Sequence, residues 1–416
     1  MKKENSLLQV INTCLLILIV LSMVLNMSLK DESMTVVYLE VAFTGLFVLL
    51  NILKVVLKVD WLTYLLLFAF IVHYATTSDK PTTIIIMIIT VLFYEALKWT
   101  NVNMNWTMTV VFLVFFVSYI MSIGDMYVSL TTNHTNRELL YKGFFVNSNT
   151  NAGFSLFTFF FTILFCKKTV IRYVIFVLTL SSMLASGSRN AIICVAMFAF
   201  FILIQKTFLK KYTFLSFVGV MILAFCYLFF VEIYSSVDFT VMGKEANSAG
   251  RSEQITLVML RYPLTLFGVG KDAIDAFSFA TTGYAVHNAF INSLYSMGVV
   301  IMLCYMLFIY RIYQQLDSIV AKSALLASNV YFFFDPGVMF YLLLINVYPI
   351  MIVLLKMNEE RKERVLQIKK RIQNVDTQSD SLLLVWRQSS ARTSRQVHSV
   401  LEALLARVRD KRMERE

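Results

Sequence analysis

Arg189 and Arg251 each stand at the start of a helical stretch, and His287 stands at the mouth of a long apolar one. Arginine is costly near a bilayer, about 2.5–3.5 kcal/mol at its centre and less towards its faces. A cation at a helix N-terminus also opposes the helix dipole. Arg189 lies in the turn "ASGSRN" (185–190) between two apolar runs, flanked by Gly187 and Ser188, and Arg251 opens the stretch "RSEQITLVMLRYP". A bound anion resolves the conflict at both places, because backbone N–H groups and a guanidinium then converge on one negative group. The competing reading is a snorkelling or ion-paired arginine on the membrane rim. Arg261 and Lys271 are helpers of the same kind, against plain surface charge. His287 opens "HNAFINSLYSMG", with Tyr284 and Asn288 beside it. An imidazole titrates near working pH and suits a general base; the alternative is a polar helix cap. Glu253, two residues from Arg251, is the rival base, and a first-turn acid favoured by the dipole is the plainer reading of it. His73, His134 and His398 show no metal-ligand spacing with His287, so neither a metal nor a cofactor is expected.

These residues are carried by a very apolar chain. Of 416 residues 58% are hydrophobic and 15% charged, with mean hydropathy +0.70, whereas soluble domains carry about 25% charge. Continuous apolar runs fall at roughly 8–27, 36–57, 61–78, 82–98, 106–124, 152–166, 169–187, 189–206, 213–234, 287–310, 318–334 and 337–356, each near the length that crosses a bilayer core. The expected fold is all-α: a polytopic membrane protein of about twelve spanning helices. Continuous rather than alternating runs exclude a porin-like barrel. The charged-then-apolar start lacks a small-residue cleavage site and reads as a retained first helix. All five cysteines fall inside apolar runs without CxxC spacing and read as buried small hydrophobes.

Lysine and arginine set the expected sidedness. With the N-terminus cytoplasmic, the inner connections hold Lys54, Lys58, Lys98, Lys167, Lys168 and Lys356, while the short outer ones hold little beyond Lys30 and Lys80 beside acids. The loop 125–151, the turn 185–190 and the long loop 235–286 then all lie outside, with His287 at the outer mouth of the run 287–310. Within 235–286, Asn247–Ser248 reads as a helix start, Pro263 as its stop and "FGVGKDA" as a glycine-rich turn; the lack of a preceding strand counts against a nucleotide fingerprint there. The expected division is a membrane domain over 1–357 and a cytoplasmic amphipathic helical tail over 358–416. Before residue 357 there are seventeen lysines and six arginines; after it, four and ten. That switch suggests a fused segment of different origin. The tail's interspersed acids favour a solvated helix face over nucleic-acid binding.

The order "NSNTNAGF", "SGSRNA", "GRSEQ…LRYPLTLFGVG" and "HNAFINSLYSMG" resembles the bacterial O-antigen polymerase and ligase superfamily, the Wzy-type polymerases and WaaL-type ligases. The topological likeness covers residues 1–356 and is sharp at 147–154, 185–190, 250–270 and 287–298. It implies a GT-C-like membrane glycosyltransferase of the bacterial cytoplasmic membrane, with both termini cytoplasmic. Its substrates would be sugar chains on undecaprenyl diphosphate; its partners would be these lipids, the membrane, and a polysaccharide chain-length regulator. The resemblance also implies that Arg189 and Arg251 hold the diphosphate, and that His287 acts as base or positioning group, a role attached to the ligase branch. Arg261, Asn288, Tyr284 and Ser188 complete the expected binding set. Three activities remain open: polymerisation of lipid-linked repeats, ligation of polymer to another acceptor, and flipping or export of the same lipids. No clear internal repeat and the one-sided clustering of polar residues count against transport.

Overall fold

The computed structural model describes residues 2–28, 34–131, 140–145, 147–233, 240–241, 244–245, 251–283, 286, 288–333 and 349–367. The chain divides into two compact units, Met1–Asn358 and Glu359–Glu416. In chain order the helices are α1 (Lys2–Ser28), α2 (Met34–Leu50), α3 (Ile52–Lys58), α4 (Trp61–Thr76), α5 (Pro81–Leu97), α6 (Met104–Met121), α7 (Ile123–Thr131), α8 (Ser148–Phe165), α9 (Thr169–Ala185) and α10 (Arg189–Gln205). Then follow α11 (Thr213–Ile233), α12 (Arg251–Arg261), α13 (Lys271–Thr282), α14 (Ala289–Ser296), α15 (Gly298–Gln315) and α16 (Ile319–Phe333). A further helical segment occupies 349–367. The exception is a minimal antiparallel pairing of Thr240–Val241 with Lys244–Glu245.

Among the described residues, three helices are long and apolar enough to cross a membrane: Leu7–Ser28, Met104–Met121 and Gly298–Gln315. A fourth span forms if Thr35–Leu50 and Ile52–Lys58 count as one, bent by 64°. Several apolar helices of 10–17 residues accompany them, including Pro81–Leu97 and Arg189–Gln205. Leu57, Met121 and Val170 are more than 70% exposed. Such outward apolar surface is unfavourable in water and ordinary against hydrocarbon. Cys14 and Cys226 are exposed as well, a correction to the reading of all five cysteines as buried; a thiol is apolar enough to face outward with those neighbours.

Local chemistry sets the helix ends. Pro81 occupies the first turn of α5, where its missing N–H costs nothing. Asn103 caps α6, and Asn147 caps α8 by accepting from the Thr150 N–H at 2.8 Å. The expected span 36–57 breaks at Asn51. Its amide donates to the Phe47 carbonyl and to Asn12 Oδ1, both at 2.9 Å, so the side chain competes with the helix ladder. The expected span 287–310 is also two helices, α14 and α15, parted at Met297–Gly298. The loop 125–151 is helical at its start, as α7, and 235–286 contains a second helix, α13, beyond the expected one.

Helix α8 is buried nearly all round and rich in phenylalanine, the pattern of a central helix. Phe159 meets Phe198 of α10 edge-on at 5.6 Å, a favoured aromatic geometry. Polar contacts fall into two sets. One joins connections expected to be cytoplasmic: Arg311 with Asp60, and the Asn358 amide with the Thr100 carbonyl at 2.6 Å. The other joins connections expected outside: Tyr141 N–H to the Ala185 carbonyl at 3.3 Å, and Lys271 N–H to Asp79 Oδ2 at 3.0 Å. Each pair unites connections on one expected side, so charge pattern and packing agree on which loops share an end.

Candidate functional site

The Arg189 turn is built from below. Gly187 takes φ +59°, a left-handed conformation that favours glycine. Its N–H closes the turn on the Leu184 carbonyl at 2.9 Å. Ser188 is buried and sits at the N-cap of α10 without using its side chain to cap the helix. Arg189 is the first residue of α10 and is half-buried. Beneath the turn, buried Asn151 donates its amide to Ser186 Oγ at 2.8 Å and Ser182 Oγ at 3.2 Å. The asparagine-rich stretch thus does two jobs: Asn147 caps α8, and Asn151 fixes the floor of the Arg189 turn.

α12 and α13 form a helical hairpin. Tyr262 stacks edge-on against Phe277 at 5.6 Å and donates its hydroxyl to the Ala273 carbonyl at 3.3 Å. At the other end, Gln254 Nε2 donates to Thr282 Oγ1 at 3.2 Å. Arg251 and Glu253 are the first and third residues of α12, so they begin within a turn of Gln254. Both α12 and α13 pack on α14. Asn288 caps α14, accepting from the Ile291 N–H at 2.9 Å. Its amide nitrogen, the Asn292 Oδ1 and the Gln254 Oε1 are buried without hydrogen-bond partners among the described residues. An unpaired buried amide costs about 1–3 kcal/mol, so three around one junction mark a place where hydroxyl-rich groups would be welcome.

The loop between α12 and α13 docks into the α14–α15 break. Val269 and Gly270 N–H groups donate to the Tyr295 and Ser296 carbonyls at 3.0 and 2.9 Å. In return Val299 and Val300 donate to Thr265 and Leu266 at 3.1 and 3.0 Å. The approach needs glycine at two positions. A Cβ on Gly268 would stand 2.1 Å from the Ser296 oxygen, and one on Gly298 would stand 2.3 Å from the Gly268 nitrogen. The glycines of "FGVG" and "SMG" are therefore two halves of one backbone junction.

The same loop is held from the α4–α5 turn. His73 Nδ1 donates to the Phe267 carbonyl at 2.5 Å, and His73 Nε2 lies 3.0 Å from Asp79 Oδ2. Asp79 also accepts the backbone N–H groups of Lys271 and Asp272, at 3.0 and 2.9 Å, and so caps α13 from another part of the chain. Asp272 reciprocates, accepting the Lys80 N–H at 2.8 Å. Burial alone pushes the Asp79 carboxyl up. The His73 hydrogen bond, the two backbone donors and the His73 charge outweigh it and hold the group below its ordinary value.

Of the expected site residues, Arg251 and Glu253 lie in the first turn of α12 and Asn288 caps α14, two helices that pack together; Ser188 and Arg189 begin α10, which packs on α16 as α14 does. Arg261 is exposed at the far end of α12, ten residues and about 15 Å along the helix from Arg251. Lys271 pairs with Asp275 at 2.6 Å. His287 and Tyr284 lie outside the described residues, as does the tail beyond residue 367. Sequence reasoning passed over His73, Asp79, Gln254 and Asn292. Only the position of Asp79 in the turn "SDKP" before α5 hinted at a capping role for it. A second polar pocket, lined by Asp60, Glu95, Lys98 and Arg311, lies at the opposite end, where its cations are paired with its acids.

The fold defines an integral membrane protein, all-helical, with its polar junction gathered at one end. Residues 174–306, from within α9 to within α15, match the family model Wzy_C, described as O-Antigen ligase; the match supports the resemblance to the O-antigen polymerase/ligase superfamily. No curated protein matches the chain.

Proposed function

We propose that this protein is a membrane glycosyltransferase that joins undecaprenyl-diphosphate-linked oligosaccharide repeats on the outer face of the bacterial plasma membrane. The observation that carries the reading is that one matched segment, 174–306, contains the Arg189 turn, the α12–α13 hairpin and the α14 mouth. The chemistry suits an outward site. Nucleotide sugars are cytoplasmic, so the donor must bring its own leaving group, and a lipid diphosphate does. As the anomeric C–O bond to phosphate breaks, charge grows on the diphosphate, and fixed guanidinium groups of Arg189 and Arg251 stabilise it. A base, His287 or Glu253, takes the proton of the incoming sugar hydroxyl. A single displacement inverts the anomeric carbon. The orphan amides of Asn288, Asn292 and Gln254 offer donors and acceptors to sugar hydroxyls. In this reading the spans number about twelve, the arrangement is GT-C-like, both termini are cytoplasmic and the tail over 358–416 is a separate segment.

A ligase is the second reading, favoured by the description of the matched family. The Lys-, Ile- and Phe-rich composition tilts the choice towards a capsular polysaccharide polymerase in a host without lipopolysaccharide. Flipping is disfavoured by the α14–α15 break, because docking of residues 265–270 engages the backbone groups that a transporter would turn towards its cargo. Purified protein in liposomes, given lipid-linked repeats and chelator but no nucleotide, decides among the three. A ladder of longer chains supports polymerisation. Transfer only to a supplied second acceptor supports ligation. Movement of the lipid across the bilayer without any new glycosidic bond overturns glycosyl transfer.

A further inference from the structure

We propose that His73 and Asp79 are positioning residues for the outer site: a buried clamp that fixes the α12–α13 loop, and through it, from their far ends, the helices α12 and α14 that carry Arg251 and Asn288. This rests on the glycosyl-transfer reading for its catalytic consequence, though not for its structural one.

Both side chains are fully buried, and His73 lies 194 residues from the carbonyl that it holds. Its two ring nitrogens face acceptors on opposite sides, the Phe267 oxygen and the Asp79 carboxylate. Asp79 also accepts from two backbone N–H groups, so the pair is locked by four directional bonds. Neither group is placed to act as an acid or base on substrate, since every ring nitrogen and carboxylate oxygen is engaged. Their effect is instead on geometry. Asp79 caps α13, His73 pins residue 267, and the segment between them, 268–270, supplies the N–H groups that dock into the Tyr295–Ser296 carbonyls. Gly270 makes room: at φ +102° a Cβ there would stand 2.8 Å from Asp79 Oδ1. The charged groups around the pair are Lys80 on its own turn and Lys271, Asp272 and Asp275 on α13. Lys271 is paired with Asp275, and the Asp272 carboxylate accepts the Lys80 N–H. α5 and α15 also pack on α4, but their charged pairs, Glu95–Lys98 and Arg311–Asp60, sit at the opposite end.

No isostere replaces the pair. His73→Gln offers amide donors at one end only, and Asp79→Asn sets an N–H₂ where the carboxylate accepts from backbone N–H groups or meets the imidazole. The test uses both variants as full-length protein in nanodiscs, with a lipid-linked repeat unit as substrate. Amide hydrogen exchange is expected to quicken at least tenfold over residues 265–283 and to stay unchanged over α4–α6. The kcat for chain extension should fall about 10- to 100-fold, the cost of ångström-scale misplacement, with KM for the lipid-linked donor within about twofold because substrate contacts remain. Unchanged exchange at 265–283 overturns the clamp, as does wild-type kcat with the loop loosened. A uniform rise in exchange across the chain, with kcat and KM moving together, reduces the pair to general stability and overturns positioning. If wild-type protein forms no new glycosidic bond, neither extending chains nor transferring them to a second acceptor, the glycosyl-transfer reading fails, and the exchange data still decide whether the clamp holds the loop.

Discussion

Gly268→Ala isolates the backbone junction. Gly268 has φ +78°, and the added Cβ would stand 2.1 Å from the Ser296 carbonyl oxygen. An ordinary C···O contact needs about 3.3 Å, so the oxygen would have to retreat by about 1 Å, and it belongs to backbone already bonded to the Gly270 N–H. Left-handed backbone adds about 1–2 kcal/mol for an alanine. Undocking the loop relieves both. It forfeits the four bonds from Val269, Gly270, Val299 and Val300, worth about 1 kcal/mol each net. The free energy of loop opening should therefore fall by up to about 4 kcal/mol, which is near a thousandfold in opening equilibrium at about 1.4 kcal/mol per decade. Amide exchange of peptides covering 265–283 and 295–300, read by mass spectrometry in nanodiscs, measures this directly. Gly283→Ala is the control: its φ is +74°, but none of the described residues lies within 4 Å of the added carbon, so the backbone strain acts and exchange should quicken about tenfold. Equal effects at the two positions, or none at Gly268, would refute the argument that the junction depends on close backbone approach.

Three further outcomes are expected. Arg189→Ala and Arg251→Ala should each abolish chain extension while expression and thermal unfolding stay normal; wild-type ladder lengths would remove both from diphosphate binding. His287→Ala should lower turnover more than donor binding, whereas an unchanged single-turnover rate would move the base role to Glu253 or to the substrate. Because Asp79 sits below its ordinary value when folded, its contribution is complete above the usual carboxylate range, about 3.9, and is lost as pH falls through the lowered folded value. Exchange protection over 265–283, corrected for intrinsic rates, should be flat from neutral pH into that range and fall below it. Asp79→Asn should remove this acid limb.

What the sequence disclosed and what it hid follow from range. Apolar runs, Pro81 and the turn "SGSRN" are local signals, so most helices and the Arg189 turn were legible within a few residues of their ends. The helix breaks were not. That at Asn51 depends on Asn12, on another helix, and that at Gly298 on a loop some thirty residues earlier. α13 escaped notice because a twelve-residue amphipathic stretch after a glycine turn carries no membrane signature. His73 looked like a lone histidine in an apolar run. Its meaning lies in a carbonyl 194 residues away, which no spacing rule reaches. The resemblance marked the glycines of "FGVG" and "SMG" without explaining them; packing supplies the reason.

The most direct measurement of the central claim is where a lipid diphosphate sits. A photoreactive undecaprenyl-diphosphate analogue, added to the protein in nanodiscs and mapped by mass spectrometry, should label peptides spanning 185–192, 251–258 and 284–292, with labelling lost in Arg251→Ala. Labelling confined to the opposite pocket of Asp60, Glu95, Lys98 and Arg311, or unchanged by loss of Arg251, would contradict it.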